Sequence, residues 1–312
     1  MELPVYLFTG FLESGKTKFI ADTLSDERFN EGESTLLIVC EEGIEEYDLS
    51  KYGENVHLIN VENEEDLSPS FFSKLEKTHK AKRAVIEYNG MWQLSSLFNN
   101  MPSNWMVYQE VFFADASSIL SYNANMRNLV VDKLNSPEMV AFNRVPEGAD
   151  IMPFHKLVRG INTRAEILYE HIGGRVEYDN IEDPPPYNKE ADLVEIEDKD
   201  YAIFYRDVAE NSYDWNGKTV CFKGIVAKDK DFPENTVLVG RHVMTCCVDD
   251  IKYLGLALKT DKAKDLKSYD WVNVKARLSL EYHRLYRSKG PVLYGVEITP
   301  AEKPTEPVAT FY

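Results

Sequence analysis

The chain has 312 residues, 44% hydrophobic and 28% charged, with a formal net charge of −17. That length is more than one hydrophobic core usually serves, so two domains are expected, and no run approaches the ~20 apolar residues of a membrane helix, which points to a folded soluble protein. Acidity is confined to residues 1–200, which hold 18 Lys+Arg against 37 Asp+Glu while 201–312 hold 17 against 15, so nucleic acid is not expected as a partner of the first part.

The N-terminus, Met-Glu-Leu-Pro-Val-Tyr, places an acidic residue where a secretory signal would be basic, and a cytoplasmic location is expected. Apolar β-rich runs follow at 5–8, 34–40, 56–61, 84–88, 107–114 and 139–143, with helical periodicity at 16–24, 71–79 and 117–134. This alternation predicts an α/β domain over 1–180 with a mainly parallel sheet, a P-loop NTPase domain if the motif below is functional. Residues 181–199 are acidic and proline-rich and read as a linker. Beyond it a short helix is expected at 201–211, then five strands at 219–227, 237–247, 254–258, 271–280 and 292–298. Their spacing predicts a small all-β barrel of the OB type over 200–312. The four cysteines, Cys40, Cys221, Cys246 and Cys247, are too few for a disulfide framework, so reduced thiols are expected.

The octet GFLESGKT, Gly10 to Thr17, fits G-x-x-x-x-G-K-[ST]. Gly10 and Gly15 let several N–H groups point into one hollow, Lys16 sets an ammonium on the outer phosphates and Thr17 offers a hydroxyl to Mg²⁺. A strand before it and an amphipathic helix after it distinguish a phosphate loop from a chance strand-turn-helix. The site therefore draws on Gly10, Glu13, Ser14, Gly15, Lys16, Thr17 and Lys18. Glu87 ends the apolar run 84–88 and offers a carboxylate to the metal shell or to an attacking water, and Gly90 can bring an N–H to the outermost phosphate; the alternative is an ordinary strand-end glutamate.

These residues resemble the CobW-like GTPases, metallochaperone-type P-loop proteins related to cobalamin synthesis factors. The likeness rests on Pro4-Val-Tyr-Leu-Phe-Thr-Gly-Phe-Leu-Glu-Ser-Gly-Lys-Thr17, Glu87-Tyr-Asn-Gly90 and Gly160-Ile-Asn-Thr-Arg-Ala-Glu-Ile167, within residues 1–175. It implies GTP hydrolysis with Mg²⁺, Lys16 and Glu87 acting in catalysis, and a metal shell that includes Thr17 and Glu87. Glu41-Glu-Gly-Ile-Glu-Glu-Tyr-Asp48 looks like the family's acidic switch segment, which would set Glu41, Glu42 and Asp48 near the metal; a solvated acidic loop is the other reading. Asn143-Arg-Val-Pro146 stands where the family reads guanine with Asn-Lys-x-Asp. Asn143 and Arg144 keep contacts to a base, with Glu147 or Asp150 as substitutes for the missing carboxylate, but Pro146 leaves the choice between GTP and ATP open. The family's Cys-x-Cys-Cys motif is absent.

The C-terminal part is similar instead to the soluble region of the YcgQ family, proteins that accompany a YcgR-type permease, through Gly217-Lys-Thr-Val-Cys-Phe-Lys-Gly-Ile-Val226, Arg241-His-Val-Met-Thr-Cys-Cys-Val-Asp-Asp250 and Asp270-Trp-Val-Asn-Val274. His242, Cys246 and Cys247 have the ligand chemistry of a Zn²⁺ site, although neighbouring strand residues point to opposite faces and a buried structural pair is the alternative. Tyr282, Tyr286 and Tyr294 with Arg284, Arg287 and Lys289 read either as barrel core with a solvated edge or as a stacking platform. The expectation is a nucleotide-binding, GTPase-like protein coupled to a permease or a metal-dependent partner; a non-hydrolysing adaptor and a metallochaperone acting through Cys246 and Cys247 are the rivals.

Overall fold

The computed structural model describes residues 2–245 and 251–311. The chain divides into two compact units, Met1–Ile181 and Glu182–Tyr312.

The first unit opens with β1 (Leu3–Gly10), α1 (Lys16–Ser25), the single turn α2 (Glu27–Asn30), β2 (Thr35–Val39) and β3 (Val56–Asn60). It continues through α3 (Pro69–His79), β4 (Arg83–Glu87), α4 (Leu94–Asn100) and β5 (Trp105–Asp115). Then come α5 (Ile119–Asn125), α6 (Arg127–Leu134), β6 (Met139–Val145), α7 (Met152–Arg159), β7 (Glu166–His171) and β8 (Val176–Tyr178). The eight strands form one sheet in the order β3-β2-β4-β1-β5-β6-β7-β8, parallel except for the β7–β8 hairpin.

Burial on both faces is why β1, β2 and β4 read as unbroken apolar runs. Leu7 packs with Leu36, Ile38, Phe72 and Ile86 on one face, while its neighbour Phe8 packs with Ile20 and Leu24 of α1 on the other. The helix expected over 117–134 is two helices, broken at Met126, whose φ of −134° and ψ of 45° are not helical. The strands β7 and β8 and the helices α4 and α7 are additions to the sequence-based expectation; α4 is short, and α7, though it buries one face, spans only eight residues.

The second unit contains β9 (Val194–Glu195), α8 (Tyr201–Glu210), β10 (Thr219–Ala227), β11 (Thr236–Met244), β12 (Lys252–Lys259), β13 (Trp271–His283), β14 (Ser288–Pro300) and β15 (Val308–Thr310). Its sheet runs β15-β11-β12-β14-β13-β10-β9, and β10 pairs with β11 as well, so β10 to β14 make a closed circuit of pairings in which only β12–β14 is parallel. Trp215, Phe204, Phe222, Val239 and Leu278 lie in the core of this unit.

Part of the stretch expected as a linker is integrated here. Tyr187 is buried against Trp215, with ring centroids 5.8 Å apart, and its hydroxyl donates to Asp207, while β9 pairs with β10. An aromatic side chain after three prolines finds more stabilisation in the core than in water. No helix among the described residues is long and apolar enough to cross a membrane.

Candidate functional site

The loop between β1 and α1 is shaped by glycines that cannot be replaced without collision. Gly10 has φ 140°, and a Cβ there would stand 2.2 Å from the carbonyl oxygen of Phe113 on β5. Gly15 has φ 100°, and its Cβ would meet Asn143 Nδ2 at 2.4 Å. Gly90, after β4, lies directly under the loop: a Cβ would fall 2.6 Å from the Gly10 carbonyl oxygen and 2.8 Å from Phe11 Cα. Glu13 takes the left-handed region at φ 61°, a cost a non-glycine residue bears only where the surroundings hold it.

Gly15 is the N-cap of α1 and no side chain caps that end. The first-turn N–H groups of α1 have no acceptor within the helix, and the positive end of the helix dipole lies there. Ser14 Oγ is buried in the same loop without a hydrogen-bond partner. The uncapped start of α1 is a hollow suited to an anion, whose oxygens would satisfy these backbone donors. A cavity of about 190 Å³ opens over it, lined by Leu12, Glu13, Gly15, Lys16, Thr17, Glu41, Gly43, Ile44, Glu45, Glu87 and Arg144.

Lys16 is buried on the first turn of α1. Its ammonium donates to the carbonyls of Gly10 at 2.9 Å and Phe11 at 3.0 Å and to Glu41 Oε2 at 2.7 Å. The other Glu41 oxygen accepts from the Gly90 N–H at 3.4 Å. One residue on, Thr17 Oγ1 donates to Glu87 Oε1 at 2.8 Å, and Tyr47 donates to Glu87 Oε2 at 2.5 Å. Burial pushes the Glu87 carboxyl up; the hydrogen bonds from Tyr47 and Thr17 and the charge of Lys16 oppose this without cancelling it. Burial likewise pushes the Cys40 thiol up to about 12, so this neighbour is a core thiol and not a nucleophile.

On the far side of the loop, Arg144 at φ 57° donates through Nε and Nη2 to Asp115 Oδ2 at 2.8 and 2.6 Å and through Nη2 to the Glu13 carbonyl. Asn143 Nδ2 donates to the Ser14 carbonyl at 3.3 Å. Both residues named for base contacts are thus engaged with the loop itself. The two carboxylates weighed as substitutes at position 146 are also engaged. Glu147 accepts from Arg175 Nε and Nη2 at 3.4 and 3.0 Å, and Asp150 accepts from the Met152 N–H at 3.0 Å.

Of the residues singled out in the sequence, Glu13, Gly15, Lys16, Thr17, Glu41, Glu87 and Arg144 line one cavity, with Gly10, Ser14, Gly90 and Asn143 directly behind it. Lys18 and Glu42 are exposed and do not line it, because they fall on the outer sides of a helix turn and of an extended segment. Asp48 is exposed too, accepting from Ser50 and pairing with Lys51. Tyr47, Glu45 and Asp115 were not singled out. Only Tyr47 left a trace in the sequence, as the one aromatic residue in an acidic run.

In the second unit, His242 on β11 packs edge-on against Tyr253, ring centroids 5.7 Å apart. Cys246 and Cys247, named with it for Zn²⁺, lie outside the described residues. Among the described residues no three His, Cys, Asp or Glu side chains gather as a metal site. Of the proposed stacking platform, Tyr286 is turned inward, bonding the Ala257 N–H and the Pro291 carbonyl, while Tyr282 is exposed.

Comparison with known proteins finds likeness to parts of the chain. Residues 176–309 match the model of the DUF1980 C-terminal domain. The UPF0703 protein YcgQ of Bacillus subtilis (strain 168) is 25% identical over 123 residues, 39% of this chain and 43% of that protein, so the chain matches less than half the length of this relative. Among solved structures, the hydrogenase maturation factor HypB from Archaeoglobus fulgidus is similar with a TM-score of 0.37 at 14% identity, covering 54% of this chain and 80% of that one. A small single-stranded DNA-binding protein from Streptomyces coelicolor is similar with a TM-score of 0.21 at 15% identity, covering 28% of this chain and 94% of that one.

Proposed function

We propose that the first unit, residues 1–180, is a Mg²⁺-dependent P-loop nucleotide-binding domain of the GTPase type, related to the CobW-like proteins, that hydrolyses the β–γ phosphate bond and couples its nucleotide state to a partner. One observation carries the reading: an uncapped helix start, with the Lys16 ammonium on its first turn, faces a cavity on a loop where Gly10 and Gly90 leave no room for a side chain. Lys16 and the first-turn N–H groups of α1 hold the phosphates. Thr17 and Glu87, already hydrogen-bonded to each other, are the residues that would hold Mg²⁺. When bound, the metal supplies charge neutralisation between the outer phosphates. Glu87 orients the attacking water. Leu12 and Ile44, both exposed at the rim, leave the entrance open.

The closed circuit of β10 to β14, with β12 parallel to β14, supports an OB-like barrel for residues 200–312, onto which part of 181–199 packs. With it goes a role in relaying the nucleotide state to a permease of the YcgR type or to a metal-dependent protein, in a cytoplasmic setting that supplies nucleoside triphosphate. A Zn²⁺ role for Cys246, Cys247 and His242 is no part of this reading.

The test is titration calorimetry of the chain with GTP and with ATP, each with Mg²⁺, alongside phosphate release. Binding and release that are both lost in Lys16→Ala support the proposal; release unchanged in that variant overturns it. A second reading, an adaptor that binds without turnover, is favoured by the full engagement of Glu87 by Thr17 and Tyr47. Binding without release above background selects the adaptor.

A further inference from the structure

Glu41 follows β2 and begins a segment, 41–48, with no helix or strand of its own. Its carboxylate, nearly buried, meets two groups at once: the Lys16 ammonium at 2.7 Å and the Gly90 N–H at 3.4 Å. We infer that Glu41 is a built-in occupant of the outermost phosphate position, and therefore the residue that sets how the site weighs nucleoside triphosphate against diphosphate. This rests on reading Gly10–Thr17 as a nucleotide loop.

An ammonium has three protons, and here two go to the Gly10 and Phe11 carbonyls and the third to Glu41. The lysine of such a loop serves the outer phosphates. A terminal phosphate gains that third proton only by displacing the carboxylate, since two anions cannot share one cation at this range in a partly buried site without strong repulsion. A diphosphate ends one group short of the Gly90 N–H and leaves that contact of Glu41 in place, even where Lys16 turns to the remaining phosphates. Glu41 is thus a competitor for the terminal phosphate, opposite in sign to the metal ligand expected from the sequence. At the other end of the segment the Tyr47 hydroxyl sits on Glu87, so both ends of 41–48 are held by groups of the site. Displacing Glu41 frees one anchor while the other stays, which turns occupancy of the outermost position into a change of that segment alone.

The test is calorimetry on the full chain with Mg²⁺ and either a β,γ-imido nucleoside triphosphate or the matching diphosphate. Glu41→Gln tightens the triphosphate analogue by about tenfold or more and changes the diphosphate by less than about threefold; Glu41→Ala gives the same direction should the glutamine variant fold poorly. Glu46→Gln, removing the same charge from an exposed position of the same segment, changes neither. Weaker triphosphate binding in Glu41→Gln, as a lost metal ligand requires, overturns the inference. So does equal tightening of both ligands, or the same effect from Glu46→Gln. If the unaltered chain binds neither ligand, the nucleotide reading falls and this inference falls with it. Diphosphate binding with an unchanged ratio in Glu41→Gln removes the inference alone.

Discussion

Replacing Gly90 by alanine tests how far the loop depends on the space beneath it. Its φ is unexceptional, so the effect is purely one of space. The new Cβ would stand 2.6 Å from the Gly10 carbonyl oxygen, where ordinary contact begins at 3.4 Å, so the loop or the β4–α4 turn retreats by roughly 0.8 Å. Both colliding atoms belong to backbone, which has no rotamer to change. Overpacking of this kind costs about 1–3 kcal/mol, which lowers the melting temperature of a unit this size by roughly 3–9 °C. The same shift moves the Gly10 and Phe11 carbonyls that hold the Lys16 ammonium and so weakens nucleotide binding. Thermal unfolding and nucleotide calorimetry read the two effects. For the melting temperature alone, Gly43→Ala is the reference, since a Cβ there meets only Leu12 Cδ1 at 4.0 Å. Gly90→Ala with the melting temperature and affinity of the unaltered chain would refute the argument.

Three further outcomes follow from buried polar groups. Glu110, buried on β5 with Oε1 unpartnered, has its carboxyl pushed up to about 7, first by burial, against a hydrogen bond from Ser136. A raised carboxyl contributes stability that is complete below the unfolded value near 4.5 and is lost as pH rises to about 7. Glu110→Gln should therefore gain about 3 kcal/mol on the unaltered chain between pH 4.5 and 8 in urea unfolding, and a pH-independent difference would count against it. Tyr47→Phe strips Glu87 Oε2 of its donor and costs about 1–3 kcal/mol; because that bond opposes the rise in Glu87, the loss should grow with pH in the same assay and should not shrink. Arg241, fully buried on β11, donates to the Asp198 and Glu306 carbonyls. Arg241→Leu leaves both carbonyls short of a donor and should cost about 2 kcal/mol by thermal unfolding, a value discounted for the partial exposure of Asp198; a change under about 0.5 kcal/mol would be too small for this account.

Legibility varied with how local the determining interaction is. The strands β1, β2 and β4 were visible because a strand buried on both faces must be apolar throughout, and no polar alternation interrupts it. Helices α4 and α7, of seven and eight residues, carry too few turns for periodicity to separate from chance. Pairing partners were not legible at all. That β9 and β15 are strands follows from their lying beside β10 and β11, since two or three residues have no strand signal of their own.

The glycine-rich loop Gly10–Thr17 belongs to the sequence by itself. Its glycines, lysine and threonine are adjacent along the chain, so the chemistry they need is written in their spacing, and the apolar run before them and the helix after them complete the pattern. What the tertiary structure alone decided is the company the loop keeps. Glu41 comes from the end of β2, Glu87 and Gly90 from the end of β4, Asp115 from β5 and Arg144 from β6, and a parallel sheet in the order β2-β4-β1-β5-β6 delivers all these strand ends to the same edge. Which carboxylate then takes Lys16 and which takes Thr17 is set by distances of a few ångströms between segments up to 70 residues apart. No pattern along the chain encodes such a distance, because it depends on how every intervening side chain packs.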